Sequence, residues 1–344
     1  MRRRTMNGGE TAGPVPGASV RAGEAFFRRR FWRGIACALV GAGLWGFSGA
    51  CAQFLLSNYD ITPPFVTAVR MLGAGLLFLV VLAVRQRERL AAMLADRRTL
   101  GRLAVFGAVG LYLCQITYAL VIDYTNAGTA TVLQCSGIAF VMLFTCVVGR
   151  KLPRVKELVG LVAAMFATWL IATQGDSSAL SLPLPGLVWG IANGLSVAFY
   201  IMYPKKLFAE WGSFVVTGIG MLVGGVAAAL VWLAGSVAGG AGLALPTLDA
   251  AGFLVFGLII VVGTFAAFAL YLHGVSIVGS VKGSLLGAIE PVSATAFSAL
   301  WLGTAFSWAD WAGFVLMIAM IFLVTGEKPQ PQAEAPCEGD SSPT

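Results

Sequence analysis

Long apolar runs separated by short polar breaks dominate the chain. Beyond a polar, Arg-rich opening (1–33), apolar segments fall near 34–56, 64–84, 101–122, 126–148, 155–174, 183–203, 212–234, 251–273, 277–302 and 307–325. Each is about the 20 residues that a helix needs to cross the hydrocarbon core of a bilayer. The runs are continuously apolar rather than alternating at a period of two, so helices are predicted and barrel strands are not. The pattern predicts an all-α integral membrane protein with ten transmembrane helices. The opening, with Gly8-Gly9 and Pro14-Val15-Pro16, predicts a disordered tail over 1–33, and the stretch 326–344, which carries Pro, Glu and Ser, a second short tail.

The polar breaks carry an orientation signal. With the N-terminus inside, the cytoplasmic segments hold 21 of the 23 Lys and Arg residues, and the other two, Arg70 and Lys282, lie within spans. The external loops hold no basic residue, and each carries one aspartate: Asp60, Asp123, Asp176, Asp249 and Asp310. The positive-inside rule therefore puts both termini in the cytoplasm; the membrane expected is a plasma (inner) membrane of bacterial type. An offset of 153 residues superimposes the third to fifth spans on the eighth to tenth, matching Gly110 with Gly263 and Tyr118 with Tyr271. An offset of 144 sets Trp45-Gly46 on Trp189-Gly190. Two five-helix repeats, 34–174 and 183–325, are expected. Because five is odd, the second enters the membrane inverted, the logic of many secondary transporters.

Composition excludes other classes. Residues from AVILMFWYC make up 58%, and with 43 glycines in 344 residues the apolar share reaches about 70%, against 11% charged. A soluble domain has roughly 45–50% apolar and about 25% charged residues. Lipid must therefore be the solvent for much of this chain. The net charge of +7 is explained by the cytoplasmic loops, so no nucleic-acid partner is expected. The six cysteines form no CxxC and His273 is the single histidine, so no metal and no cofactor are expected. HExxH, GxSxG and Walker motifs are absent, and an enzyme is not expected.

Glu290-Pro291 is the most informative dipeptide. An ionisable group near the middle of a span suggests function, and a proline there cannot donate to the carbonyl of Gly287. Glu290 is the candidate proton- or substrate-binding group, with Pro291 and Gly287 forming a helix kink. Lys282 and Arg70 either snorkel toward the interface or face a cavity. Trp45, Trp189, Tyr118 and Tyr271 occupy matched places in the two halves and are candidate cavity linings, joined by the polar residues Asn193 and Gln134.

These residues resemble the EamA-type permeases of the drug/metabolite transporter superfamily. The resemblance covers roughly 34–325 and rests on Leu44-Trp45-Gly46, Arg70, Leu133-Gln134, Gly186-Leu187-Val188-Trp189-Gly190 and Ile289-Glu290-Pro291-Val292 through Leu300-Trp301-Leu302-Gly303. It implies the ten-helix inverted-repeat fold and export of amino acids or other small metabolites. The sequence departs from the family pattern at Arg150 and Thr304, which follow Gly149 and Gly303 where Glu is common, and at Ile138, where the fourth helix usually has proline.

The leading expectation is a multi-pass secondary transporter that exports small metabolites by alternating access. Its partners are the lipid bilayer and a small-molecule substrate, with protons as a candidate coupling species. A lipid or lipid-linked sugar flippase on the same fold, and a non-transporting membrane scaffold, are the alternatives.

Overall fold

The computed structural model describes residues 16–124, 127–134, 136–149, 155–173, 176, 183–238, 246–302 and 308–325. Every regular element among the described residues is a helix. The first half contains α1 (Pro16–Asn58), α2 (Pro63–Arg85), the short α3 (Arg87–Ala95), α4 (Arg97–Tyr124), α5 (Ala127–Gln134), α6 (Ser136–Gly149) and α7 (Val155–Thr173). The second contains α8 (Leu184–Met202), the short α9 (Lys205–Trp211), α10 (Ser213–Ala238), α11 (Ala250–Val278), α12 (Ser280–Gly287), α13 (Ile289–Leu302) and α14 (Trp308–Thr325).

Local chemistry sets several of these boundaries. Pro63 and Pro64 open α2 after the extended Thr62, at positions where a missing N–H costs nothing. Asp96 caps α4 by accepting from the Arg98 N–H at 3.0 Å and the Thr99 hydroxyl at 2.6 Å. Asp249 caps α11 through the Gly252 N–H at 2.8 Å. Gly279, at φ 90°, lets the chain turn between α11 and α12, a conformation that a side chain would resist.

Six stretches are each long and apolar enough to cross a membrane: Phe26–Asn58, Pro63–Arg85, Arg97–Tyr124, Leu184–Trp211, Ser213–Ala238 and Ala250–Val278. Their outer faces expose Val80, Val84, Leu230, Phe253 and Leu254, an apolar surface suited to lipid. The other four expected spans fall on shorter or interrupted elements: α5 with α6, α7, α12 with α13, and α14.

One expectation is corrected at the N-terminus. The tail was expected to reach residue 33, whereas helix begins at Pro16. Ala, Arg and Glu between 18 and 30 are good helix formers and need no apolar stripe to extend a helix already nucleated in the membrane. Residues 1–15 and 326–344 lie outside the described residues.

The halves interleave with two-fold logic. α1 packs along α11 and α13, and correspondingly α8 packs along α4 and α6. α2 lies against α10, and α7 against α14. Glycine makes the close approaches possible: a Cβ on Gly41 would meet the Tyr271 nitrogen at 2.6 Å, and one on Gly107 would meet the Gly220 oxygen at 2.6 Å. α4 and α11 also share an unusual feature, π-helical segments at Phe106–Tyr112 and Val261–Ala266. The 153-residue offset carries the first onto 259–265, overlapping the second. Such widened turns concentrate at functional sites.

Candidate functional site

The ninth expected span is broken where the sequence places its proline. α12 ends at Gly287, Ala288 forms a turn with its N–H bonded to the Leu285 oxygen at 3.2 Å, and α13 starts at Ile289. Glu290 is thus in the first turn of a new helix, buried, where the backbone dipole favours an acidic side chain. Its Oε2 accepts from the Gln134 amide of the first half at 2.7 Å. α1 supports the kink at close range, because a Cβ on Gly46 would lie only 2.6 Å from the Glu290 carbonyl oxygen.

Glu290 borders a two-lobed cavity between the halves, each lobe about 30 Å³, room for about two water molecules. Trp45, Gln134, Tyr200 and Glu290 line both lobes. The first lobe adds Arg70, Gln115, Tyr118 and Phe268; the second adds Thr131, Tyr271 and Gly287. One wall is aromatic: the Trp45 ring centroid lies 4.4 Å from that of Tyr271 and 4.8 Å from that of Phe268. Tyr271 donates its hydroxyl to the Gly283 oxygen at 3.0 Å, anchoring α11 to α12 just before the kink.

Arg70 faces inward. Its Nε donates to Thr264 Oγ1 and its Nη2 to Ser48 Oγ, both at 3.2 Å, joining α2 to α11 and α1. Thr264 sits in the π-helical segment and donates to the Ile259 oxygen at 2.7 Å. The guanidinium is buried, and among the described residues no carboxylate lies within 4.0 Å of it.

Of the expected site residues, Glu290, Gln134, Arg70, Trp45, Tyr118 and Tyr271, with Pro291 and Gly287, surround this cavity. Three others do not. Trp189 turns to the outer surface, 36% exposed, because its neighbour Gly190 takes the inner face against Leu133. Lys282 leans over the Phe31 ring, 5.0 Å from its centroid, near the helix end rather than at the cavity. Asn193 is buried but serves packing, donating to the Cys114 oxygen at 2.9 Å and the Thr117 hydroxyl at 3.0 Å. Ser48, Thr264, Gln115, Tyr200 and Phe268 join the site without having been singled out for it. Serine and threonine are ordinary in membrane helices, and only the folded register reveals which of them meet a buried charge.

Two ties join the halves at opposite ends of the bundle. At one end the Tyr59 hydroxyl donates to Asp249 Oδ1 at 2.5 Å. This hydroxyl and the Gly252 N–H hold the Asp249 carboxyl below the usual carboxylate range. At the other end Arg102 pairs with Glu210 at 2.9 Å.

The model of the EamA-like transporter family matches the chain twice, over residues 32–173 and 184–326. The chain belongs to this family. A relative, the "Uncharacterized inner membrane transporter YicL" of Salmonella typhimurium, is 32% identical over 293 residues, 85% of this chain and 95% of that one. The "Uncharacterized transporter YcbK" of Bacillus subtilis is 23% identical over 208 residues, 60% of this chain and 64% of that one. A solved crystal structure superimposes with a TM-score of 0.67 at 16% identity, covering 84% of this chain and 96% of that one, a likeness of fold alone. With its apolar helices, this EamA protein is a multi-pass membrane transporter.

Proposed function

We propose that this EamA protein is a secondary transporter that exports small metabolites, amino acids or related compounds, across the plasma (inner) membrane by alternating access. In this reading ten spans form two inverted five-helix repeats, 34–174 and 183–325, and both termini are cytoplasmic. The observation that carries the proposal is Glu290: a buried carboxylate at a helix kink, bonded to Gln134 of the opposite half, in a cavity between the halves. An ionisable group so placed is expensive in a membrane and marks a substrate or proton path by default.

The cavity and the two ties support a cycle. Space for about two waters does not admit a metabolite, so the helices must part to load one, and both ties are formed in this conformation. Opening one end requires breaking Tyr59–Asp249, and opening the other requires breaking Arg102–Glu210. A protonated Glu290 donates to a partner, and an ionised one receives a proton or a substrate cation. Exchange between these forms as the halves rock would couple transport to protons.

The test is Glu290→Gln in proteoliposomes loaded with amino acids, nucleobases and drugs, with release measured across a pH gradient. The expected result is normal insertion with lost or pH-insensitive transport. Wild-type rates with unchanged pH dependence would show that Glu290 only shapes the kink. A lipid-flipping assay on the same vesicles tests the flippase alternative.

A further inference from the structure

The first lobe of the cavity contains an unusual concentration of unused hydrogen-bond donors. The indole N–H of Trp45, the amide nitrogen of Gln115 and the hydroxyl of Tyr118 each have no partner among the described residues, and each side chain is more than nine-tenths buried. They come from α1 and α4 and border the same lobe as Arg70. Two of them, the indole N–H and the amide nitrogen, can only donate. Buried donors without partners are costly and rare in folded proteins, so four donor-bearing side chains lining one small space call for an acceptor.

The acceptor's chemistry follows from the walls. Arg70 brings a full positive charge with no ion-pair partner within 4.0 Å, so an anion fits better than a neutral carbonyl. Glu290 borders the same lobe and would repel a second negative charge, which disfavours a dianionic phosphate. A flat carboxylate suits a planar guanidinium edge and a narrow space. Ser48 and Thr264 hold Arg70 through Nε and Nη2, fixing the direction of the guanidinium. We propose that Arg70, Trp45, Gln115 and Tyr118 form a carboxylate-recognising pole, so that the cargo is a small molecule bearing one carboxylate. This deepens the transport reading above and rests on it for the word cargo.

Binding can be measured without transport. The purified protein in lipid nanodiscs is heated with propionate, with its uncharged isostere propionamide, or with chloride, each up to about 50 mM, an amount suited to fragment affinities in the millimolar range. Propionate should raise the unfolding temperature while propionamide and chloride leave it unchanged. Tyr118→Phe removes only a hydroxyl that has no partner, so it should fold as well as the parent and bind propionate about tenfold more weakly, as expected for one hydrogen bond to a charged group. Gln115→Leu should behave likewise, and Arg70→Gln should abolish the response. Equal stabilisation by propionamide or chloride, no response to propionate, or undiminished binding in Tyr118→Phe and Gln115→Leu would each overturn the proposal. Propionate binding without vesicle transport would overturn the transport reading and leave the carboxylate pole standing.

Discussion

Replacing Gly46 with alanine tests whether the kink is held by direct backbone contact with α1. The new methyl would lie 2.6 Å from the Glu290 carbonyl oxygen and closer still to the Ala294 nitrogen and Ser293 Oγ, whereas ordinary contact begins near 3.4 Å. The Glu290 oxygen and Ala294 nitrogen are backbone, which cannot swing aside as a side chain can, so α1 and α13 must separate by about 1 Å. Overpacking of this kind costs about 1–3 kcal/mol. Gly43, one turn earlier on the same helix, is the control, because a Cβ there meets nothing within 4 Å. Gly43→Ala should gain up to about 1 kcal/mol from helix propensity. Both substitutions gain the same helix propensity, so the two variants should differ by the overpacking cost alone, about 1–3 kcal/mol. Heating the purified proteins and following the folded fraction by size-exclusion chromatography measures this as an ordering of apparent unfolding temperatures, with Gly46→Ala lowest and Gly43→Ala highest. If Gly46→Ala matches Gly43→Ala in both unfolding temperature and transport, the close approach does not set the geometry at Glu290.

Trp45→Ala should lower stability by about 3–5 kcal/mol, as for a buried aromatic deletion, whereas Trp189→Phe at the lipid-facing surface should leave stability and transport unchanged; comparable losses at both would refute the difference in burial. The Tyr59–Asp249 tie has a defined pH dependence: because the Asp249 carboxyl is held low, the tie's contribution is present above the usual carboxylate range and is lost only as pH falls below it. Titrating that carboxyl by infrared difference against Asp249→Asn checks this, and an ordinary titration point would remove the tie from the account. For the proposed topology, a cysteine at Ser178 should react with an impermeant thiol reagent in intact cells and one at Ala209 should not, with reversed labelling inverting the assignment.

What the sequence made legible was the helical membrane architecture, because a bilayer writes helix length directly into the pattern of residues. The kink at Ala288 was legible through Pro291, because a missing N–H inside an apolar span cannot pair the carbonyl four residues back. Helix faces were far less readable. Around Trp189 both faces of α8 are apolar, one meeting lipid and one meeting protein, so nothing in the pattern marks which way the indole turns. The matched dipeptides Trp45-Gly46 and Trp189-Gly190 do keep their glycines on corresponding inner faces, against Glu290 and Leu133. Their tryptophans diverge because the neighbouring helices differ. Ser48 and Thr264 are illegible in sequence for another reason: each is an ordinary helix residue until the fold brings it to Arg70.

The 153-residue offset also pairs Glu290 with Gly137, a side chain of a single hydrogen. The rotation that relates the two halves therefore does not map the cavity onto itself: a carboxylate on one wall faces nothing equivalent on the other. A chamber with true two-fold symmetry would hold a molecule equally well in either sense. This one has a head and a tail, so whatever enters is sorted by which end leads.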